Sequence, residues 1–279
     1  IRWNSKTSEF YREKIELPFY LFHLKGKGDA NLPKAWMFET GTNQWRRFDT
    51  WPPKQGQAKT IYLRAGGKLS FEAPTDADAF DEYLSDPARP VPYLDTVQLG
   101  MAGNYMVSDQ RFAAKRPDVL VYESEVLEED VTLAGAIQPV LHVATSDTDS
   151  DFVVKLIDVY PNDFPNPDPN PTAVQMGGYQ QLVRGEPFRG RYRQGFDRGV
   201  PFTPGKLETI DFAMPDVLHT FRRGHKIMVQ IQSSWFPLVD RNPQKFVDIP
   251  NAKREDFVKA TQRISRSRNA ASRLIVKVL

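Results

Sequence analysis

Val140-Leu-His-Val-Ala-Thr-Ser-Asp-Thr-Asp-Ser-Asp-Phe-Val-Val-Lys-Leu-Ile-Asp-Val159 is the stretch whose reading decides the fold. Two β-prone runs, Val140–Ala144 and Phe152–Val159, stand on either side of the turn-forming Ser146-Asp-Thr-Asp-Ser150 and read as a strand pair. In the second run Val153, Lys155, Ile157 and Val159 alternate with Phe152, Val154, Leu156 and Asp158. Both faces are therefore largely apolar, which predicts a strand deep inside a sandwich.

Outward from this pair the same texture recurs. Ala35–Thr40, Thr60–Arg64, Lys68–Glu72, Val119–Tyr122, Val131–Leu133, Leu207–Ala213, Lys226–Gln232 and Leu274–Leu279 are short β-compatible runs punctuated by Gly and Pro. Gly66-Gly67 joins two of them as a plausible hairpin turn. About ten such runs without alternating helices predict an all-β, two-sheet sandwich of jelly-roll type. Residues 74–117 and 160–205 lack periodicity and read as long loops. The second holds Pro161-Asn-Asp-Phe-Pro-Asn-Pro-Asp-Pro-Asn-Pro171, an extended solvated segment. Long loops in a compact domain tend to be functional or interfacial.

Only the N-terminus reads as helix. In Ser5-Lys-Thr-Ser-Glu-Phe-Tyr-Arg-Glu-Lys-Ile15 the hydroxyl residues are candidate caps, and Glu9 suits the positive end of the helix dipole. Phe10, Ile15, Phe19 and Phe22 form an apolar stripe, Pro18 is expected to kink or interrupt it, and Gly26 and Gly28 to end it. So aromatic a helix requires a partner surface.

Composition excludes several classes. The 279 residues carry 37 Lys+Arg against 35 Asp+Glu, a net charge of +2, so no charge excess points to nucleic acid or an anionic membrane as partner. No apolar run reaches the roughly 18–20 residues of a membrane span. The absence of cysteine excludes disulfides, thiol catalysis and thiolate-bound zinc. The chain begins at Ile1 with no basic-then-apolar leader, as expected of a processed product or a piece of a longer polypeptide.

Catalytic chemistry is sparse. There is no Gly-x-Ser-x-Gly elbow. His142 lies in an apolar strand and reads as a core histidine; His219 and His225 flank Arg222-Arg223-Gly224 and read as parts of a polar turn; His23 lies on the N-terminal helix. No two of them have metal-ligand spacing, so no metal and no other cofactor is expected. Asp147-Thr-Asp-Ser-Asp151 lacks the glycine and glutamate of a calcium loop, and its carboxylates read as turn caps too exposed for a large pKa shift. The arginine-rich segments 184–198 and 263–273 read as solvated or interfacial loops. Ser233-Ser-Trp-Phe-Pro-Leu-Val-Asp-Arg-Asn242 is an aromatic anchor followed by a turn, facing a partner domain or packing within the sandwich.

These segments resemble the C-terminal half of the CocE/NonD hydrolases of the X-Pro dipeptidyl-peptidase group, in the branch of α-amino-acid ester hydrolase and glutaryl-7-aminocephalosporanic-acid acylase. The resemblance runs from Ser5-Lys-Thr-Ser-Glu-Phe-Tyr-Arg-Glu13 and Ile15-Glu-Leu-Pro-Phe19 through Phe38-Glu-Thr-Gly-Thr-Asn-Gln-Trp45 and Ser85-Asp-Pro-Ala-Arg-Pro-Val-Pro92. It continues with Asp109-Gln-Arg-Phe112, Arg116-Pro-Asp-Val-Leu-Val-Tyr122, Phe152–Pro161, Gly224-His-Lys-Ile-Met-Val-Gln230 and Ser233–Asn242.

The resemblance implies residues 1–28 as the closing helix of an α/β-hydrolase domain and 29–279 as the jelly roll. The serine, aspartate and histidine of the triad belong to that other domain, none of the four histidines here matches it, and the chain alone is expected to hydrolyse nothing. A loop between Pro92 and Asp109 then forms part of the acyl-pocket wall. Gln98 and Leu99 fall where relatives carry a leucine–phenylalanine pair, with Met101 and Tyr105 as further wall residues. Phe10, Phe19, Phe22, Trp235, Phe236, Asp240 and Arg241 are the expected interdomain contacts. The implied partners are the hydrolase domain of the same protein, a small acyl ester or amide (an α-amino ester, a β-lactam acyl compound or an X-Pro peptide), and in some relatives further copies of the chain. Relatives are often exported, which favours a periplasmic or secreted setting. The alternative is a stand-alone carbohydrate- or protein-binding sandwich, which requires a row of exposed aromatics on one sheet face.

Overall fold

The computed structural model describes residues 1, 3–29, 31–96, 102–103 and 105–279. A helical segment comes first, as α1 (Thr7–Tyr11) and α2 (Leu17–Lys25) joined by the wide turn Arg12–Glu16. That π-type turn lies just ahead of Pro18 and lets the helix run on past a ring that would otherwise clash one turn back. Helix α1 has Lys6 at its N-cap and no side-chain cap, so the expected hydroxyl capping does not occur. Gly26, left-handed at φ 59°, ends α2 as expected, with its N–H on the Phe22 carbonyl and that of Lys27 on Leu21. The small helix α3 (Arg111–Ala114) follows later.

The strands are β1 (Ala35–Glu39), β2 (Gln44–Phe48), β3 (Gln57–Arg64), β4 (Lys68–Ser70), β5 (Phe80–Ser85), β6 (Leu120–Glu123), β7 (Val131–Thr145), β8 (Asp151–Val159), β9 (Gln180–Arg189), β10 (Glu208–Asp211), β11 (Met214–Phe221), β12 (Lys226–Gln232), β13 (Ala260–Ser267), β14 (Ala270–Ala271) and β15 (Arg273–Val278). The all-β sandwich following a terminal helix is as expected. One layer is built round β7, with β10 and β11 along one flank and β13 and β15 along the other; β5 extends β13, and β3 and β4 extend β15. The other layer is β6-β12-β8-β9. A single parallel pair, Lys68↔Glu123, joins the layers.

The strand pair expected around Ser146–Ser150 is not a hairpin. β7 and β8 lie in opposite layers and share no ladder, so the turn carries the chain across the sandwich. The apolar rows of both strands face each other instead of sitting side by side. Leu141 and Val143 of β7 meet Phe152, Val154 and Leu156 of β8, and Ile227, Val229, Leu274 and Val276 fill the same interior. The outer face of β8 is apolar for a second reason. Val153 and Ile157, with Leu182, Met228, Tyr93, Leu94 and Trp235, form a separate small core beneath the 93–106 segment.

The stretches read as loops conceal β5, β9 and β13. The arginines of β13 pair with acids of β5, Arg263 with Glu82 and Arg266 with Asp81, so its charge sits on a ladder. The aspartates of the 147–151 turn were expected to be exposed and are not. Asp149 is fully buried against Arg191, and Asp151 is buried against Arg189 and Asn242. Burial pushes the Asp151 carboxyl up to about 6, against the pull of Arg189. The arginine-rich 184–198 segment thus begins as strand, in β9, and continues with Arg191 in a buried ion pair.

The hairpin β1–β2 is a separate two-stranded sheet. Its turn docks on β11, with the Thr40 N–H on Leu218 and the Thr220 N–H on Thr40. Gly41 is required there, because φ is 90° and a Cβ would lie 2.0 Å from the Thr220 carbonyl oxygen. Glu39 is buried beside this turn and accepts from Thr42, Arg46 and Thr220. Desolvation works against its charge, but those three donors outweigh it and hold the carboxyl below its ordinary value.

Candidate functional site

The segment between Pro92 and Gln110 is fastened at two feet. At the first, Val91 N–H donates to Ser234 Oγ at 2.8 Å, Phe236 N–H to the Val91 carbonyl and Tyr93 N–H to the Phe236 carbonyl, both at 2.9 Å. At the second, Gln110 N–H donates to the Gln180 carbonyl at 2.9 Å. Arg111 braces that foot through Asp109 and the carbonyls of Gly177 and Gln175. Tyr179 O–H reaches the Val107 carbonyl at 2.5 Å. Both feet rest on strand ends, so the segment is presented by a rigid frame.

Between the feet, Tyr93 and Leu94 are buried, and Ala102, Tyr105 and Met106 pack on the cluster around Trp235. Tyr105 is half-buried, its ring 6.2 Å from Trp235 and 5.9 Å from Tyr93. Of the expected wall residues, Gln98, Leu99 and Met101 lie outside the described residues; Tyr105 is on the floor side of the segment. Gly185 admits the indole, since a Cβ there would lie 2.6 Å from Trp235 Cη2.

The expected interdomain residues separate into distinct environments. Phe10 stacks on Trp45 at 4.4 Å and meets Trp36 edge-on at 5.2 Å, fastening α1 to the β1–β2 hairpin. Phe19 and Phe22 are 44% and 40% exposed, in company with Tyr11, Leu17, Tyr20 and Leu24. Trp235 is 3% exposed and belongs to the domain's own interior, whereas Phe236 is at the surface. Asp240 pairs with Arg189 at 2.6 Å, and Arg241 donates to the Pro87 carbonyl with its guanidinium over Phe257. Trp36 is covered by Arg47 and Phe10, and Trp45 by Phe10.

Two buried polar groups were not expected. Asp158 lies between His225 Nδ1 at 2.8 Å and His219 Nε2 at 3.3 Å, and Thr40 Oγ1 is 2.8 Å from His219 Nδ1. Burial works against the Asp158 charge, but the two imidazoles outweigh it and hold the carboxyl low. Hydroxyl, imidazole and carboxylate in line resemble a nucleophile relay. However, His219 is 1% exposed and Thr40 Oγ1 already donates to the Leu218 carbonyl, so the trio fastens the hairpin turn. The residues converge from distant parts of the sequence, and only the fold brings them together. The other surprise is Lys155, fully buried on the outer face of β8 and brought down to about 7 by burial. Its sequence signal was a lone charge in a strand apolar on both sides. His142 is half-buried against Thr209 rather than enclosed in the core, and burial and then Arg273 lower its pKa.

Among the described residues no cluster of three or more His, Cys, Asp or Glu has metal-site geometry, and no helix is long and apolar enough to cross a membrane.

Comparison with known proteins agrees with this architecture. Residues 28–275 match the family described as X-Pro dipeptidyl-peptidase C-terminal non-catalytic domain. Cocaine esterase of Rhodococcus sp. (strain MB1 Bresler) is 32% identical over 272 residues, covering 94% of this chain and 45% of the esterase. An aminopeptidase from the marine sediment archaeon Thaumarchaeota archaeon superposes with a TM-score of 0.91 at 43% identity, over 98% of this chain and 45% of that one. An α-amino acid ester hydrolase superposes at 0.89 with 41% identity and the same coverage. The chain thus spans less than half the length of these relatives.

Proposed function

The chain belongs to the X-Pro dipeptidyl-peptidase C-terminal non-catalytic domain family, and from that premise we propose that it is the sandwich half of a serine ester or amide hydrolase. In this reading residues 1–28 close the preceding α/β-hydrolase domain, and 29–279 form the accessory domain. The preceding domain forms and hydrolyses the acyl-enzyme with its own serine, histidine and aspartate. The observation that carries the reading is the uncovered apolar surface of α2, which runs round the helix. Leu17, Phe19, Tyr20, Phe22 and Leu24 are 40–75% exposed on a chain that spans less than half of its relatives. An exposed apolar surface of this size marks a site that another body covers.

The sandwich's contribution to catalysis is the 93–108 segment, fastened at its two feet, as one wall of the acyl pocket. A wall of this kind supplies binding and dryness, so its side chains tune selectivity by about 1–3 kcal/mol and leave the chemical step to the other domain. The substrates are small acyl esters or amides, with the α-amino acid esters named for one relative as first choice. Co-expression of the chain with the hydrolase portion of its longer polypeptide tests the docking. A stable complex that turns over p-nitrophenyl butyrate is expected, and Phe19→Asp with Phe22→Asp should dissociate it. An undiminished complex in the double variant would contradict the reading.

A further inference from the structure

Lys155 stands against Gln110 and Trp235 and has no counter-ion among the described residues. Its Nζ donates to Gln110 Oε1 at 3.0 Å, and it lies 5.5 Å from the Trp235 ring and 6.0 Å from Phe112. Gln110 is itself fully buried and builds the second foot of the 93–110 segment, bonding Gln180 through its backbone and the Ser108 carbonyl through its side chain. The cross-strand neighbours of Lys155 are Gly185 and Gln230, both uncharged. Gln230 is buried, and its Oε1 has no partner. Of the charged residues in and beside the covering segment, Asp95 is exposed and Asp109 and Arg111 pair with each other; its titratable rings are Tyr93 and Tyr105. The 233–239 segment adds only Trp235 and other uncharged groups.

We propose that Lys155 is a positioning residue of the acyl-pocket wall, an amine prop whose protonation state sets how firmly the Gln110 foot is held. The inference rests on the reading of the 93–110 segment as the wall. As a neutral amine, Lys155 fits between two rings and one amide oxygen. As an ammonium it has further N–H donors to satisfy in a dry site. A spare acceptor directly across the ladder is Gln230 Oε1, and turning toward it releases Gln110 and loosens the foot.

The test uses the intact polypeptide, hydrolase portion included, with p-nitrophenyl butyrate, whose binding involves no titrating group of its own. An amine titrating at about 7 is mostly neutral at pH 8 and mostly charged at pH 6. If only the neutral form holds the wall, apparent KM rises by up to about tenfold between those pH values. Lys155→Met should give a KM that is flat over this range, with the pH profile of kcat unchanged from wild type. Lys155→Arg, always charged, should hold the high KM throughout. A Lys155→Met protein that keeps the wild-type KM rise overturns the inference, whether or not the Arg variant folds. Tyr105→Ala separates the two claims. If it changes KM while Lys155→Met keeps the pH dependence, the prop is wrong and the wall stands; if it leaves KM and selectivity untouched, the wall reading and the prop fall together.

Discussion

Replacing Lys155 by Met is the sharpest physical test of the fold. The amine titrates at about 7 in the folded protein against 10.5 for the free side chain, with burial as the cause. At 1.36 kcal/mol per unit, that difference makes the buried lysine cost roughly 4–5 kcal/mol at pH 7. The substitution also orphans Gln110 Oε1, a loss of about 1–3 kcal/mol. The net expectation is a variant more stable than wild type by about 2–3 kcal/mol at pH 7. Between pH 7.5 and 9.5 the unfolded chain holds the lysine proton and the folded chain does not, so stability rises with pH by up to 1.36 kcal/mol per unit from this group. That gain is complete above the unfolded value of 10.5 and absent below about 7, where both states are protonated. Urea unfolding of the 279-residue chain, followed by tryptophan fluorescence at pH 7.5 and 9.5, should show wild type gaining roughly 2–3 kcal/mol on the variant. Parallel pH dependence in the two proteins would mean that Lys155 is charged when buried, and the reasoning would fail.

Asp151→Asn tests the opposite case, a buried acid raised to about 6. Below 3.8 the group is protonated in both states, and its favourable contribution is lost as pH rises through 6, so wild type should lose about 2–3 kcal/mol relative to the variant between pH 4 and 6.5 in the same unfolding assay. Gly41→Ala places a methyl against the Thr220 carbonyl at positive φ and should destabilise the protein by about 2 kcal/mol or more; wild-type stability in thermal unfolding would show that the hairpin turn is not seated on β11. Phe22→Asp, on the uncovered helix face, should leave the 279-residue chain within about 0.5 kcal/mol of wild type while weakening its complex with the hydrolase portion. Unfolding of the isolated chain by this substitution would show that Phe22 serves this domain instead.

The residues that were legible from sequence are those whose environment is set locally. Phe152–Val159 announced a doubly covered strand because both its faces are apolar, and the Gly66-Gly67 hairpin because both glycines sit at positive φ. The partner of β8 was not legible. Proximity in sequence suggested β7, but the Ser146–Ser150 turn crosses between layers, and its buried Asp149 and Asp151 are tied to arginines roughly forty residues further on. Strands β9 and β13 were hidden by charge, since an arginine balanced across a ladder looks like an arginine in solvent. The apolar surface of α2 was legible as aromatic residues without a covering surface. Lys155 and the Asp158–His219–His225 group were not, because burial and convergence are properties of the folded chain alone.

The most direct test of the account is fluorophosphonate labelling and p-nitrophenyl butyrate turnover of the purified 279-residue chain, with intact mass read before and after. The account predicts an unmodified 31.9 kDa chain and no turnover, with labelling and activity present in the longer polypeptide on a serine upstream of Ile1. A covalent label on the 279-residue chain itself, with ester turnover, would contradict it.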